Sequence, residues 1–253
     1  MKSLLILIAF FISSSVALNC QQVAGSLQQI DAGLGMVVGV NSNDNIYILF
    51  GGTWVQLPGA LQHVTVGPAG LWGVNSANQI YKMVNGNWVQ VPGLLQQIDA
   101  GGDEFVAGVN MNDNVYCMGR NGAMGITSNQ SPAPWELLPG ALKYYSCGPI
   151  SCWGINSANK IFIMRAVTPT YCTGSRWWQN IPGSLTMIEV SVDGSVYGVN
   201  GQGNVYRRDG ITARNPAGTV WTQITISGVC QHVSYDLGKL WVIKNDGSIW
   251  TCS

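Results

Sequence analysis

The chain has 253 residues, of which 47% are apolar and only 9% charged, and its 12 acidic and 12 basic side chains cancel. An average soluble domain carries about 25% charged residues, so this sequence has no field to hold a nucleic-acid backbone or an anionic membrane surface. Its 32 Gly, 10 Trp and 9 Tyr favour many short strands joined by tight turns over helices.

The first residues are of a different kind. Met1 and Lys2 give a basic start, residues 4–12 form an apolar run, and Ser15, Val16 and Ala17 are small residues ahead of a cut. This pattern predicts a secretory signal peptide over 1–17, removed after Ala17. The run is too short for a membrane span, which needs about 20 apolar residues. The secreted chain is then a single domain, 18–253, with seven cysteines in an oxidising setting.

From residue 25 the chain copies one unit, GALQHVTVGPAGLWGVNSANQIYKMVNGNWVQVP in its second copy, with starts near 25, 59, 93, 140, 183 and 227. Self-similarity at this spacing marks a repeat architecture. Each unit holds four strand-forming runs, the last two joined by a dipeptide such as Asn85-Gly86 or Gly51-Gly52, which suits the positive φ of a tight hairpin. Apolar residues do not alternate along a run, as Leu71, Trp72 and Val74 show, so each sheet is covered on both faces. The sixth unit stops after its third run, 248–252, and residues 20–24 align with the missing fourth. The sequence therefore predicts an all-β, six-bladed β-propeller closed by the N-terminal strand.

The turn after the second run begins with Asn41, Asn75, Asn110, Asn156 and Asn200, and with Lys244 in the sixth unit; three residues on stand Asp44, Asn78, Asp113, Asn159, Gly203 and Gly247. Asn, Asp and Gly tolerate left-handed backbone. An amide can also donate to and accept from a hydroxyl. The five Asn, with Asp44 and Asp113, are therefore candidate sugar contacts as well as turn formers. Trp54, Trp88, Trp135, Trp178 and Trp221 open the fourth run, where they pack between neighbouring sheets or stack on a sugar ring. His63 and His232 occupy one repeat position and read as strand residues, not as a catalytic pair.

Alignment makes Cys20 and Cys252 cross-strand neighbours, and Cys147 and Cys152 flank one short turn. Cys117 and Cys172, in or beside the insertions of the third and fourth units, form the third pair. Cys230 falls where the other units have Leu. It either sits buried as a small hydrophobe or bonds a second copy in a homodimer. The sequon Asn129-Gln130-Ser131 lies in the longest insertion, with partial use expected because Pro132 follows it.

No catalytic or metal-binding motif stands out, and the expectation is no enzyme and no cofactor. The NDN at 43–45 and 112–114 could contribute to a calcium site, yet turn formation accounts for it. The repeated GVNS-x-[ND]-x-[IV]-Y, followed by G-x-W-x-Q-[LVI]-PG, resembles the tectonin repeat. The secreted six-copy arrangement with terminal cysteines resembles the fish-egg lectins. The resemblance implies a propeller that binds carbohydrate, with N-acetylglucosamine-type glycans and bacterial lipopolysaccharide or other surface polysaccharide as ligands, and a role in egg or innate defence. A propeller serving as a structural or protein-interaction scaffold is the alternative. The Asn turns and Pro-Gly links share one face by strand direction, and the insertions at 119–134, 165–176 and 208–220 share the other. The first face is the expected binding face.

Overall fold

The computed structural model describes residues 15–253, so the predicted leader lies outside the described residues except for its last three. Six sheets of four antiparallel strands stand in a closed ring. Blade I comprises Gln29–Gly33, Met36–Val40, Asn45–Phe50 and Thr53–Ala60. Blade II comprises His63–Gly67, Gly70–Val74, Gln79–Val84 and Asn87–Leu94. Blade III comprises Gln97–Asp99, Val106–Val109, Asn114–Met118 and Glu136–Ala141. Blade IV comprises Tyr144–Cys147, Ser151–Ile155, Lys160–Arg165 and Trp178–Ser184. Blade V comprises Met187–Val190, Val196–Val199, Val205–Asp209 and Val220–Thr225. Blade VI takes Cys230–Asp236, Lys239–Lys244 and Ser248–Cys252, and the N-terminal strand Cys20–Ser26 completes it by pairing Cys20 with Cys252 and Val23 with Ile249.

The inner strands line the axis and are almost wholly buried, whereas the outer strands are mostly exposed. This radial gradient is why no strand reads as a clean two-sided alternation. Apolar clusters lie between neighbouring blades: Val38, Val40 and Ile46 of blade I, for example, meet Leu61, Val64 and Val66. At the base of each cluster the Leu of the link presses on the Gly of the next second strand. A Cβ on Gly39 would stand 2.6 Å from Leu27 Cδ1, and one on Gly198 2.6 Å from Leu185 Cδ1. In blade VI that Gly is Val242 and the Leu is Cys230, both buried in one cluster. The larger residue in one place is matched by the smaller in the other, so close packing is kept. Cys230 is accordingly a free, buried thiol, which burial pushes up from its ordinary pKa.

Disulfides join Cys20 to Cys252, Cys117 to Cys172 and Cys147 to Cys152. The second ties the third strand of blade III to the insertion of blade IV. The blade III insertion holds a short helix, Arg120–Gly125, where Lys82 Nζ of blade II donates to the carbonyl of Ala123 at 2.8 Å. Asn129 is exposed there, and Ser131 Oγ accepts from the backbone N–H of Thr127 and Ser128. Among the described residues no helix is long and apolar enough to cross a membrane. Ser15–Ala17 adds a fifth strand to blade V, parallel to Val220–Thr225.

Candidate binding clefts and axial cluster

In the first five blades the turn after the second strand is braced by its opening Asn. The amide oxygen of Asn41, Asn75, Asn110, Asn156 and Asn200 accepts the backbone N–H of residues two and four further on, at 2.9 to 3.1 Å. Turn formation therefore consumes the oxygen. The Nδ2 edge is left for the surroundings: that of Asn41 donates to Tyr47 Oη at 3.4 Å and that of Asn75 to Gln79 Oε1 at 2.9 Å. Three residues on, Asp44, Asn78, Asp113 and Asn159 all take a φ near +60°, the left-handed geometry these residue types tolerate.

The five repeated Trp pack between blades. Trp88, Trp135, Trp178 and Trp221 donate their indole N–H to the carbonyls of Pro58, Pro92, Pro139 and Pro182 in the preceding blade, at 2.6 to 3.1 Å. The Gly after each Pro must be Gly: its φ is positive, and a Cβ on Gly93 or Gly140 would stand 2.9 or 2.8 Å from the indole nitrogen. Trp54 meets the N-terminal strand, which has Ala24 in place of Pro, and its buried Nε1 has no partner.

A cleft opens between the link of one blade and the Tyr–Trp pair of the next. In front of blade I it is lined by Gly25, Ser26, Asn41, Tyr47 and Trp54, with a volume of about 290 Å³. In front of blade III it is lined by Gly93, Leu94, Asn110, Met111, Tyr116 and Trp135, at about 460 Å³. In front of blade V it is lined by Gly183, Ser184, Asn200, Gln202, Tyr206 and Trp221, joined by Asn159, at about 420 Å³. Small-molecule sites have this size and this mixture of aromatic walls and few polar groups. Of the candidate contacts, Asn41, Asn110 and Asn200 line these clefts, and Asp44 and Asp113 do not. In blade II, Gln79 bonds both Asn75 and Tyr81. Blade IV has Phe162, and blade VI Trp250, where the other four blades have Tyr. In blade VI Lys244 lies with its Nζ 3.7 Å from the centre of the Trp250 ring, and Cys20 fills the Trp position.

The inner strands bring together residues that the sequence keeps about one repeat apart. His63, Tyr144 and His232, from the even blades, converge on the axis, with Tyr144 Oη 3.3 Å from one Nε2 and 3.0 Å from the other. The hydroxyl hydrogen can go to only one ring, so the other donates its Nε2–H. Both histidines are strand residues, as the sequence predicts, and they share a partner because the inner strand of a propeller faces its axis. Burial lowers His63 to about 4 and His232 to about 3, the latter helped by His63. Two residues along the same strands, the odd blades supply Asp31, Asp99 and Glu189, and the even blades Thr65, Ser146 and Ser234. Burial raises all three carboxyls, Asp99 to about 8 with the charge of Asp31 adding to it, and Glu189 well above its ordinary value. Hydrogen bonds hold the ring in place: Asp99 accepts Ser146 Oγ–H and Cys147 N–H, and Asp31 accepts Ser234 Oγ–H and Val66 N–H. Among the described residues no group of three His, Cys, Asp or Glu side chains is placed to hold a metal ion.

Fold and clefts together define a six-bladed propeller whose pockets repeat between blades on one face. The chain belongs to the tectonin family: the tectonin domain matches residues 26–245. It is 56% identical over 239 residues, 93% of this chain and 98% of the relative, to a fish-egg lectin of Cyprinus carpio. A tectonin β-propeller repeat-containing protein of Drosophila melanogaster is 29% identical over 104 residues, covering 37% of this chain and 8% of that one. Among solved structures, virginiamycin B lyase of Staphylococcus aureus shares the fold at a TM-score of 0.57 and 14% identity, covering 90% of this chain and 80% of its own. Human WBSCR16 does so at 0.55 and 10% identity, covering 90% and 72%.

Proposed function

We propose that this is a secreted, non-enzymatic lectin that binds N-acetylglucosamine-containing glycans, including bacterial surface polysaccharide, through the clefts of blades I, III and V. The observation that carries this reading is the threefold recurrence of a Tyr and a Trp beside an Asn amide and the glycine of an interblade link, Gly25, Gly93 or Gly183. Aromatic rings pack on the C–H face of a sugar, while the tyrosine hydroxyl and amide serve its hydroxyls. The 56% identical fish-egg lectin supports a lectin role, and the three disulfides suit an extracellular protein. Each cleft is shallow and its single-site affinity low. Several on one rigid ring raise avidity on a polysaccharide by about a hundredfold, provided their spacing lets two engage together. A glycan on Asn129, on the insertion face, would leave the clefts open. Because turn formation accounts for the NDN at 43–45 and 112–114, we expect binding to persist in the presence of a chelator.

A glycan array on the purified protein tests the class. Replacing Tyr47, Tyr116 and Tyr206 together by Phe should weaken N-acetylglucosamine binding at least about tenfold with the melting temperature unchanged. Asn110→Ala, by contrast, should lower the melting temperature because two backbone N–H groups lose their acceptor. If the intact protein binds no glycan on a broad array and agglutinates no bacteria, the lectin reading fails and the interaction scaffold takes its place.

A further inference from the structure

The outer strand of every blade is a sheet edge with unpaired main-chain groups, and such edges are ordinarily blunted by proline or by a bulge. Blades I to IV carry both devices. Pro58, Pro92, Pro139 and Pro182 stand at the ends of their outer strands, and each of these strands breaks register with its neighbour just there. Blade VI has Ala24 in place of proline but keeps the break in register. Blade V has neither. Its outer strand runs in unbroken register from Asp209↔Val220 to Val205↔Ile224, and Thr225 and Ile226 follow where the other strands turn away. This is also the edge that carries an extra strand: Ser15 pairs with Gln223, Val16 with Ile224 and Ala17 with Thr225, in parallel.

We propose that the outer edge of blade V is a strand-accepting site whose built-in occupant is Ser15–Ala17. Recognition is by main-chain hydrogen bonds, with small uncharged side chains on the occupant, which is the physics of strand addition to a free edge. The occupant comprises the last three residues of the expected leader, so a cut after Ala17 removes it and turns a covered edge into an open one. The site is independent of the glycan clefts and of the lectin reading.

Amide hydrogen exchange tests this on three proteins: the full chain prepared without leader processing, the chain beginning at Leu18, and the full chain carrying Val16→Pro. Residues 220–225 should include amides that exchange at least about tenfold more slowly in the full chain than in the shortened one. The outer strand of blade III, which touches no such segment, should exchange alike in both. Val16→Pro removes the central N–H of the occupant, so it should restore fast exchange at 220–225 while the melting temperature stays that of the shortened chain. Equal exchange at 220–225 in the full and shortened chains, or unchanged slow exchange in Val16→Pro, would overturn the proposal.

Discussion

At the scale of the residue, the clearest constraint is the exchange of volume between Cys230 and Val242. Cys230→Leu alone should overpack the cluster and cost about 1–3 kcal/mol, and Val242→Gly alone should leave a void of similar cost. The double variant rebuilds the Leu–Gly pair of the other five blades. Its loss in denaturant titrations should be smaller than the sum of the two single losses, a coupling that simple additivity would refute. The axial carboxyls set a pH dependence. Asp99 keeps its proton in the folded chain up to about pH 8 but releases it near its ordinary 3.8 when unfolded. Between those values the folded state binds more protons, so stability falls as pH rises. The histidines act oppositely: they stay neutral in the fold down to about 4 and 3, against 6.5 when unfolded, so stability falls as pH drops below 6.5. Above 6.5 the carboxyl effect stands alone. The melting temperature should decline from pH 6.5 to 8, and Asp99→Asn should flatten that decline. A flat wild-type profile would mean that the carboxyls ionise at ordinary values.

At the scale of the element, blades II to V are each pinned to the blade before by one indole. Trp135→Phe removes a hydrogen bond to the Pro92 carbonyl, while Trp54→Phe removes a buried N–H that has no acceptor. The first should cost about 1 kcal/mol more than the second, readable as a difference in denaturant midpoint at constant m value. Equal losses would show that the indole–carbonyl bond contributes nothing. The sequence revealed the Trp, the Asn turns and the Pro-Gly links separately, because each recurs at a fixed interval. It did not reveal that Trp from one unit meets Pro-Gly from the unit before, since repetition gives spacing within a blade and not the contact between blades. Nor did the periodicity single out Tyr47, Tyr116 and Tyr206, which line the clefts beside Asn41, Asn110 and Asn200.

At the scale of the molecule, closure rests on the N-terminal strand and the Cys20–Cys252 disulfide, which are 232 residues apart. Confining so long a loop stabilises the fold by roughly 5 kcal/mol in the chain-entropy model. Cys252→Ser should therefore lower the melting temperature by roughly 10 °C or more while glycan binding at room temperature persists. An unchanged melting temperature would place closure in the strand pairing alone. Six units, their ring and their closure were legible in the sequence because complementary truncation at the two ends leaves one answer. The axial cluster was not. Its members sit at repeat positions where the units differ, and difference within a repeat reads as drift until the ring shows which blades face one another.

Around the axis, the odd blades bring acids and the even blades bring hydroxyls with His or Tyr. The rim counts in sixes while the hub counts in threes, so one blade is not an interchangeable part. Grafting a single blade into its neighbour's place would set acid beside acid and leave a hydroxyl without its carboxylate. Moving two consecutive blades together keeps the alternation, and the practical cassette for rebuilding this ring is the pair.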